Sequence, residues 1–180
     1  MAASDDPVSK LVLIGGFLGA GKTTLIAQLA GRVMDQGYQV GIVTNDQGSG
    51  LVDTVTAQSL EKAAVSEVTG GCFCCRLDDL VEKLGDHLEG REGPVMLLAE
   101  PVGSCTDLMA TVILPLKERY DLALEIAPFS VVLDARRALA ALGGRRRRRE
   151  FAKDVGYIDR KQIEEAQCLV VNKIDLLSES

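Results

Sequence analysis

Apolar positions along the chain fall into short unbroken runs, separated by stretches in which they recur every three or four residues. Short runs bounded by turn formers predict buried strands, and the 3.6-residue recurrence predicts amphipathic helices. Lys10-Leu11-Val12-Leu13-Ile14 reads as the first strand. Residues 23–36 follow as a helix with Leu25, Ile26, Leu29, Ala30, Val33 and Met34 on one face. Residues 39–44 predict a second strand, 45–50 a polar loop, 57–64 a helix and 65–69 a short strand broken by Gly70-Gly71. Leu77, Leu80, Val81, Leu84 and Leu88 predict the next helix, with Asp78 and Asp79 in its first turn, where the helix dipole favours them. Residues 94–99 read as a strand. A helix from Thr106 carries Leu108, Met109, Val112, Ile113 and Leu116, and Pro115 is expected to kink or shorten it. Residues 129–133 predict a strand ending at Asp134. A weaker helix at 157–167 and a buried strand at 168–171 close the pattern, with Cys168 in the core. The alternation predicts an α/β fold, a three-layer sandwich on a mostly parallel sheet, with ligands at the strand C-termini.

Composition refines this picture little. The 180 residues suit one domain with a real core, and 47% of them are hydrophobic. Residues 1–9 read as a flexible tail and 10–180 as one nucleotide-binding domain. Because such domains continue with another strand and helix, the chain reads as a fragment truncated at its C-terminus. The net charge of −6 implies no general affinity for nucleic acid. Five arginines at 145–149 are the local exception, read as a solvated loop in preference to an acidic docking site. The polar, acidic start carries no secretory signal, and the apolar stretch at 11–20 is too short to span a bilayer. A cytoplasmic protein without membrane contact is expected, in which five cysteines point to metal or redox chemistry before disulfides.

Three motifs carry the chemistry. Gly16-Phe17-Leu18-Gly19-Ala20-Gly21-Lys22-Thr23 fits the phosphate-binding pattern G-x-x-x-x-G-K-[ST], placed between strand and helix as its mechanism requires. Backbone N–H groups around Gly16, Gly19, Ala20 and Gly21 would cradle phosphates at the helix N-terminus. Lys22 would reach the β- and γ-phosphates, and the Thr23 hydroxyl would hold Mg²⁺. Asn172-Lys173-Ile174-Asp175 follows the last strand. The Asp175 carboxylate can accept hydrogen bonds from N1–H and the exocyclic amine of guanine, whereas adenine would leave it unpaired. The Lys173 stem can lie on the base, and Asn172 can tie this loop to the phosphate loop, so the nucleotide is expected to be GTP.

The third motif, Gly70-Gly71-Cys72-Phe73-Cys74-Cys75, gathers three thiols within four residues. Three thiolates suit a borderline or soft metal such as Zn²⁺, with a fourth ligand from water, a partner or elsewhere in the chain. A small buried cluster and a redox pair are the alternatives. Cys105 could face the site, although simple packing is the expectation, and His87 is expected to be exposed or capping. Glu100, at the end of a strand beside the phosphate loop, could hold a Mg²⁺ water or orient an attacking one, and Gly103 could offer its N–H to the γ-phosphate. Asp46 could contact Mg²⁺ or a second metal, and Gln47 could orient water. Asp134 is either a further site residue or a helix cap.

Together GGFLGAGKTT, GGCFCC, AEPVG and NKID resemble the CobW family of metal-handling GTPases, relatives of HypB and UreG. Gln162-Ile163 with Ala166 resembles the family's QI-xx-A pattern. The resemblance implies a phosphate-loop NTPase fold and GTP hydrolysis coupled to delivery of a transition metal to a client metalloprotein, with Gly16, Gly19, Gly21, Lys22, Thr23 and Thr24 on phosphate and Mg²⁺; because no motif positions an arginine finger, intrinsic hydrolysis is expected to be slow. It places Cys72, Cys74 and Cys75 on the metal, which would be zinc, cobalt, nickel or iron, and makes Glu100 and Gly103 sensors of the γ-phosphate. A nucleotide-bridged homodimer is a further implication. Asn45-Asp46-Gln47-Gly48 departs from the N-E-F-G of many such proteins, and AEPVG departs from E-[ST]-T-G. The rival functions are a GTPase switch with structural cysteines, a nucleotide or metabolite kinase that uses the arginine run as a lid, and a zinc-binding adaptor.

Overall fold

A computed structural model describes residues 8–45, 63–142 and 153–177. Strand β1 (Lys10–Gly15) leads through the glycine loop into helix α1 (Lys22–Asp35). Strands β2 (Gln39–Thr44) and β3 (Ala64–Glu67) precede α2 (Leu77–Leu88). After β4 (Val95–Glu100), a π-helical turn at Met109–Ile113 runs directly into α3 (Leu114–Arg119). The short β5 (Glu125–Ile126), then β6 (Ser130–Asp134), α4 (Ala135–Leu142), α5 (Lys153–Glu165) and β7 (Cys168–Asn172) complete the order, with a 3₁₀ turn at Ile174–Leu176.

The strands form one sheet in the order β3-β2-β4-β1-β6-β7, with β5 also on β1, and every described pairing is parallel. A parallel sheet is buried on both faces, which accounts for the unbroken apolar runs. Alternate residues of each strand feed opposite cores. Leu11, Leu13, Val43, Leu97 and Val131 pack with α2 through Leu80 and Leu84, with the π–α3 helix through Val112, and with Phe73 from the turn before α2. Ile14, Val40, Ile42, Leu98 and Val132 pack with α1 through Ile26, Ala30 and Val33. The result is a three-layer sandwich. Because the strands run in the same direction, Gly15, Thr44, Glu100, Asp134 and Asn172 all end at one edge of the sheet.

The structure corrects several expectations. Most of 57–64 lies outside the described residues, but Ala64 already belongs to β3 rather than ending a helix. The helix read at 157–167 starts earlier and ends at Glu165. The two-residue β5 was too short to leave a periodic signal. Pro115 does not shorten its helix. The Leu114 N–H bonds the Met109 carbonyl five residues back, and this wide turn makes room just before a residue that lacks an N–H and whose ring would crowd the preceding turn. Cys168 is exposed, not core, because β7 ends the described sheet and Leu169 and Val171 are exposed with it. An apolar run reads alike in an inner and an outer strand. His87 is buried, not exposed: α2 lays it against β2 and β3, with its Nε2 2.9 Å from Ser66 Oγ. Burial, followed by Arg91, holds its pKa below the usual histidine value.

Candidate functional site

The glycine loop wraps the end of β1. At Gly16, φ is 135° and a Cβ would stand 2.3 Å from the Val132 carbonyl oxygen, so the chain crosses β6 where a side chain cannot fit. The Ala20 N–H closes a turn on the Phe17 carbonyl at 3.1 Å, and Gly21 opens α1 in a left-handed conformation. Gly19, Thr23 and Thr24 are exposed at this helix end, so the loop presents its N–H groups and hydroxyls outward.

Beneath the loop, Glu100 meets both phosphate-loop side chains. The Thr23 hydroxyl donates to the carboxylate with 3.1 Å to either oxygen, and Lys22 Nζ lies 3.6 Å from Oε1. Lys22 and Glu100 are both about 95% buried, a setting in which an ion pair needs further hydrogen bonds to be sustained. A hydroxyl from the first turn of α1 and a carboxylate from the end of β4 form an all-oxygen donor set that fits Mg²⁺, which keeps several waters when bound. Gly103 closes in from the same loop. A Cβ there would lie 2.8 Å from the Leu18 amide nitrogen, so only glycine lets the backbone approach the phosphate loop this closely.

The guanine motif sits across the loop. Asn172 Nδ2 donates to the Ala20 carbonyl at 2.9 Å, and Asn172 Oδ1 accepts from the Lys173 N–H. Lys173 Nζ donates to the Gly19 carbonyl and lies 3.1 Å from the Asp134 carboxylate. Asp134 also accepts from the Arg136 N–H at 2.9 Å, so it caps α4 and orients Lys173 together. Burial raises its pKa, but the Lys173 ammonium and the Arg136 and Arg137 backbone N–H groups together outweigh this and leave it lowered. Asp175 is exposed on the 3₁₀ turn, which Arg136 anchors through the Leu176 carbonyl at 3.1–3.2 Å.

The thiol segment is tied to the end of β4 through Asn45. Cys72 Sγ is 2.8 Å from Cys74 Sγ and 3.3 Å from Cys75 Sγ, and all three lie within 4.8 Å of one another.

 The Cys75 and Arg76 N–H groups turn back on the Cys72 carbonyl at 2.9 and 3.0 Å, and the fully buried Phe73 anchors the turn to the core. Asn45 fixes this segment to the sheet. Its N–H bonds the Glu100 carbonyl at 3.0 Å, and its Nδ2 donates to the Val68 and Gly71 carbonyls at 2.7 Å each. Burial pushes the Cys72 thiol up, but hydrogen bonds from Cys74 and Cys75 outweigh it and bring the pKa to about 7. Burial and the neighbouring Cys72 push Cys74 up to about 12. A cavity of about 480 Å³ opens beside Cys72, lined among others by Asn45, Gly71, Val102, Ser104 and Cys105. His87 is not among the residues that converge on the thiols.

Three contacts depend on tertiary packing, and two of them, those of Gln162 and Arg137, carry no sequence signal of their role. Cys105, expected to be packing, also lines the cavity beside Cys72. Gln162 reaches from α5 to donate to the Gly103 carbonyl at 3.0 Å and the Cys105 carbonyl at 2.9 Å, which gives the QI-xx-A pattern a physical purpose. Arg137 stacks 3.9 Å over the Phe17 ring and pairs with the buried Asp159 at 2.8 Å, bracing the phosphate loop from α4. Asp46, Gln47 and the arginines at 145–149 lie outside the described residues.

Comparison with known proteins agrees with this geometry. The family model described as CobW/HypB/UreG, nucleotide-binding domain, matches residues 10–180. The zinc chaperone CobW of a Sinorhizobium species is 28% identical over 195 residues, covering 93% of this chain and 51% of that protein. Zinc-regulated GTPase metalloprotein activator 1 of Schizosaccharomyces pombe is 28% identical over 183 residues, covering 96% of this chain and 40% of that protein. The chain thus spans about half the length, or less, of these relatives. Among solved structures, Zn(II)-bound YjiA GTPase from E. coli superposes with a TM-score of 0.54 at 20% identity, covering 97% of this chain and 52% of that one. HypB from Archaeoglobus fulgidus gives 0.54 at 17% identity, covering 93% and 68%. At these identities the structural likeness concerns the fold.

Proposed function

The chain belongs to the CobW/HypB/UreG nucleotide-binding family, and on that premise we propose that it binds and slowly hydrolyses GTP to control a transition metal held by Cys72, Cys74 and Cys75. Zinc is the favoured cargo, given the names of the relatives and the three converging thiols. A client metalloprotein would receive it. The observation that carries this reading is the bridge at Asn45, which bonds both the Glu100 carbonyl and the Gly71 carbonyl next to the first thiol.

In this reading Lys22 and the N–H groups of Gly19, Ala20 and Gly21 hold the phosphates, with Gly16 giving the loop its course and Thr24 adding a hydroxyl. When bound, Mg²⁺ neutralises charge on the phosphate oxygens, and Thr23 and Glu100 are its protein-side ligands or water contacts. Lys22 would exchange its contact with Glu100 for the phosphates, and the Glu100 carboxylate would hold a Mg²⁺ water or orient the attacking one. Gly103 presents its N–H to the γ-phosphate, Asn172 and Lys173 hold the loops together, and Asp175 reads guanine. Asp46 would add a further oxygen ligand. Residues 10–180 act as the GTP-binding domain, and hydrolysis without a partner is slow, on the order of 10⁻⁴ to 10⁻² s⁻¹.

Competition binding with labelled GTP tests the nucleotide half, and chelator competition for Zn²⁺ tests the metal half. GTP should bind at least about tenfold tighter than ATP, the factor expected when a buried donor pair is mismatched. Asp175→Asn should reverse the preference in favour of xanthosine triphosphate, whose C2 carbonyl accepts from the new amide. Zinc binding should vanish in the triple variant Cys72→Ser, Cys74→Ser, Cys75→Ser. Equal affinity for GTP and ATP, or zinc binding that survives the triple change, would contradict the proposal.

A further inference from the structure

Three thiols leave a tetrahedral ion one position short. Cys105 stands where a fourth could come from. It lies two residues beyond Gly103 on the loop after β4, and its half-buried side chain lines the same cavity as Cys72. The loop is held from both sides: the Cys105 N–H bonds the Val102 carbonyl at 3.0 Å, and Gln162 Nε2 holds the Gly103 and Cys105 carbonyls at once. A second observation concerns Asn45. It also lines the cavity, is 6% exposed, and its Oδ1 has no hydrogen-bond partner among the described residues. A buried acceptor left in this state marks the cavity as suited to a polar occupant. The other soft donors described are placed elsewhere. Cys168 begins β7, at the opposite end of a parallel sheet from the thiols, and His87 is engaged with Ser66.

We propose that Cys105 supplies the fourth thiolate to the metal held by Cys72, Cys74 and Cys75, making the loop from Glu100 to Cys105 a single part that touches both phosphate and cargo. This rests on the metal reading above and deepens it. Because Gln162 grips Gly103 and Cys105 together, a shift of Gly103 toward a γ-phosphate carries the Cys105 thiol with it. The number of sulfur ligands, four or three, then follows the nucleotide.

Cobalt(II) substitution tests this directly, because thiolate-to-cobalt charge-transfer absorption grows with the number of Co–S bonds. The full chain, with Mg²⁺ and a non-hydrolysable GTP analogue, is titrated with Co²⁺ as wild type, Cys105→Ser, Cys105→Ala, Cys168→Ser and the triple variant. The readout is intensity per bound cobalt, which loss of folded protein does not alter. Both Cys105 variants should lose roughly a quarter of the intensity, one bond in four. Their Zn²⁺ affinity should fall by more than the roughly tenfold that loss of an outer partner costs, while analogue binding in the absence of metal and the Cys168→Ser spectrum stay as in wild type. Full intensity and affinity in the Cys105 variants would overturn the proposal and leave the three-cysteine reading standing. A wild type without a thiolate band, or a triple variant that keeps one, would overturn both.

Discussion

Cys72 and Cys74 share one turn yet sit at opposite ends of the thiol range, at about 7 and about 12. In the proposed metal site, the first would bind as thiolate near neutral pH and the second would give up its proton on binding. At pH 7 Cys72 is about half ionised and Cys74 is protonated, so zinc binding should release more than one proton. Affinity should therefore rise more than about tenfold per pH unit near neutrality, and fall as pH drops. Calorimetry in buffers of different ionisation enthalpy counts the protons. Release of fewer than one would mean that Cys74 does not ligate. The Asp175→Asn exchange belongs to the same scale, since it changes one hydrogen-bonding pattern and leaves the phosphate contacts alone.

At the scale of elements, the loop after β4 is held by α5 through one amide. Gln162→Leu keeps the side-chain bulk but leaves the Gly103 and Cys105 carbonyls without that donor, a cost of about 1–3 kcal/mol. Chemical denaturation should show that loss, and binding of a GTP analogue should weaken along with it. Unchanged nucleotide affinity in a measurably destabilised variant would separate the loop from the phosphate site. This contact also shows what sequence reading can reach. The glycine loop, the three thiols and the Asn172–Asp175 motif are contiguous, so local spacing alone suffices to propose their chemistry. Gln162, Cys105 and Arg137 act across 20 to more than 100 positions of chain, and only packing brings them to the site. Cys168 fails for a related reason: its apolar neighbours predict burial, but a strand's place in the sheet is a tertiary fact.

Across the whole molecule, parallel pairing brings the strand ends together, and with them the phosphate loop, the guanine loop and the thiols. In the proposed reading, nucleotide and metal would share Glu100, Asn45 and the loop to Cys105 as a common frame. Coupling through such a frame is reciprocal: if GTP tightens metal binding, metal must tighten GTP binding by the same factor. The most direct test is the affinity of a non-hydrolysable GTP analogue with Mg²⁺, measured with and without saturating Zn²⁺, beside the same pair for GDP. The account predicts that zinc tightens the analogue by about fivefold or more, leaves GDP nearly unchanged, and does neither in the triple cysteine variant. Equal analogue affinity with and without zinc would contradict it, as would an effect that persists without the cysteines.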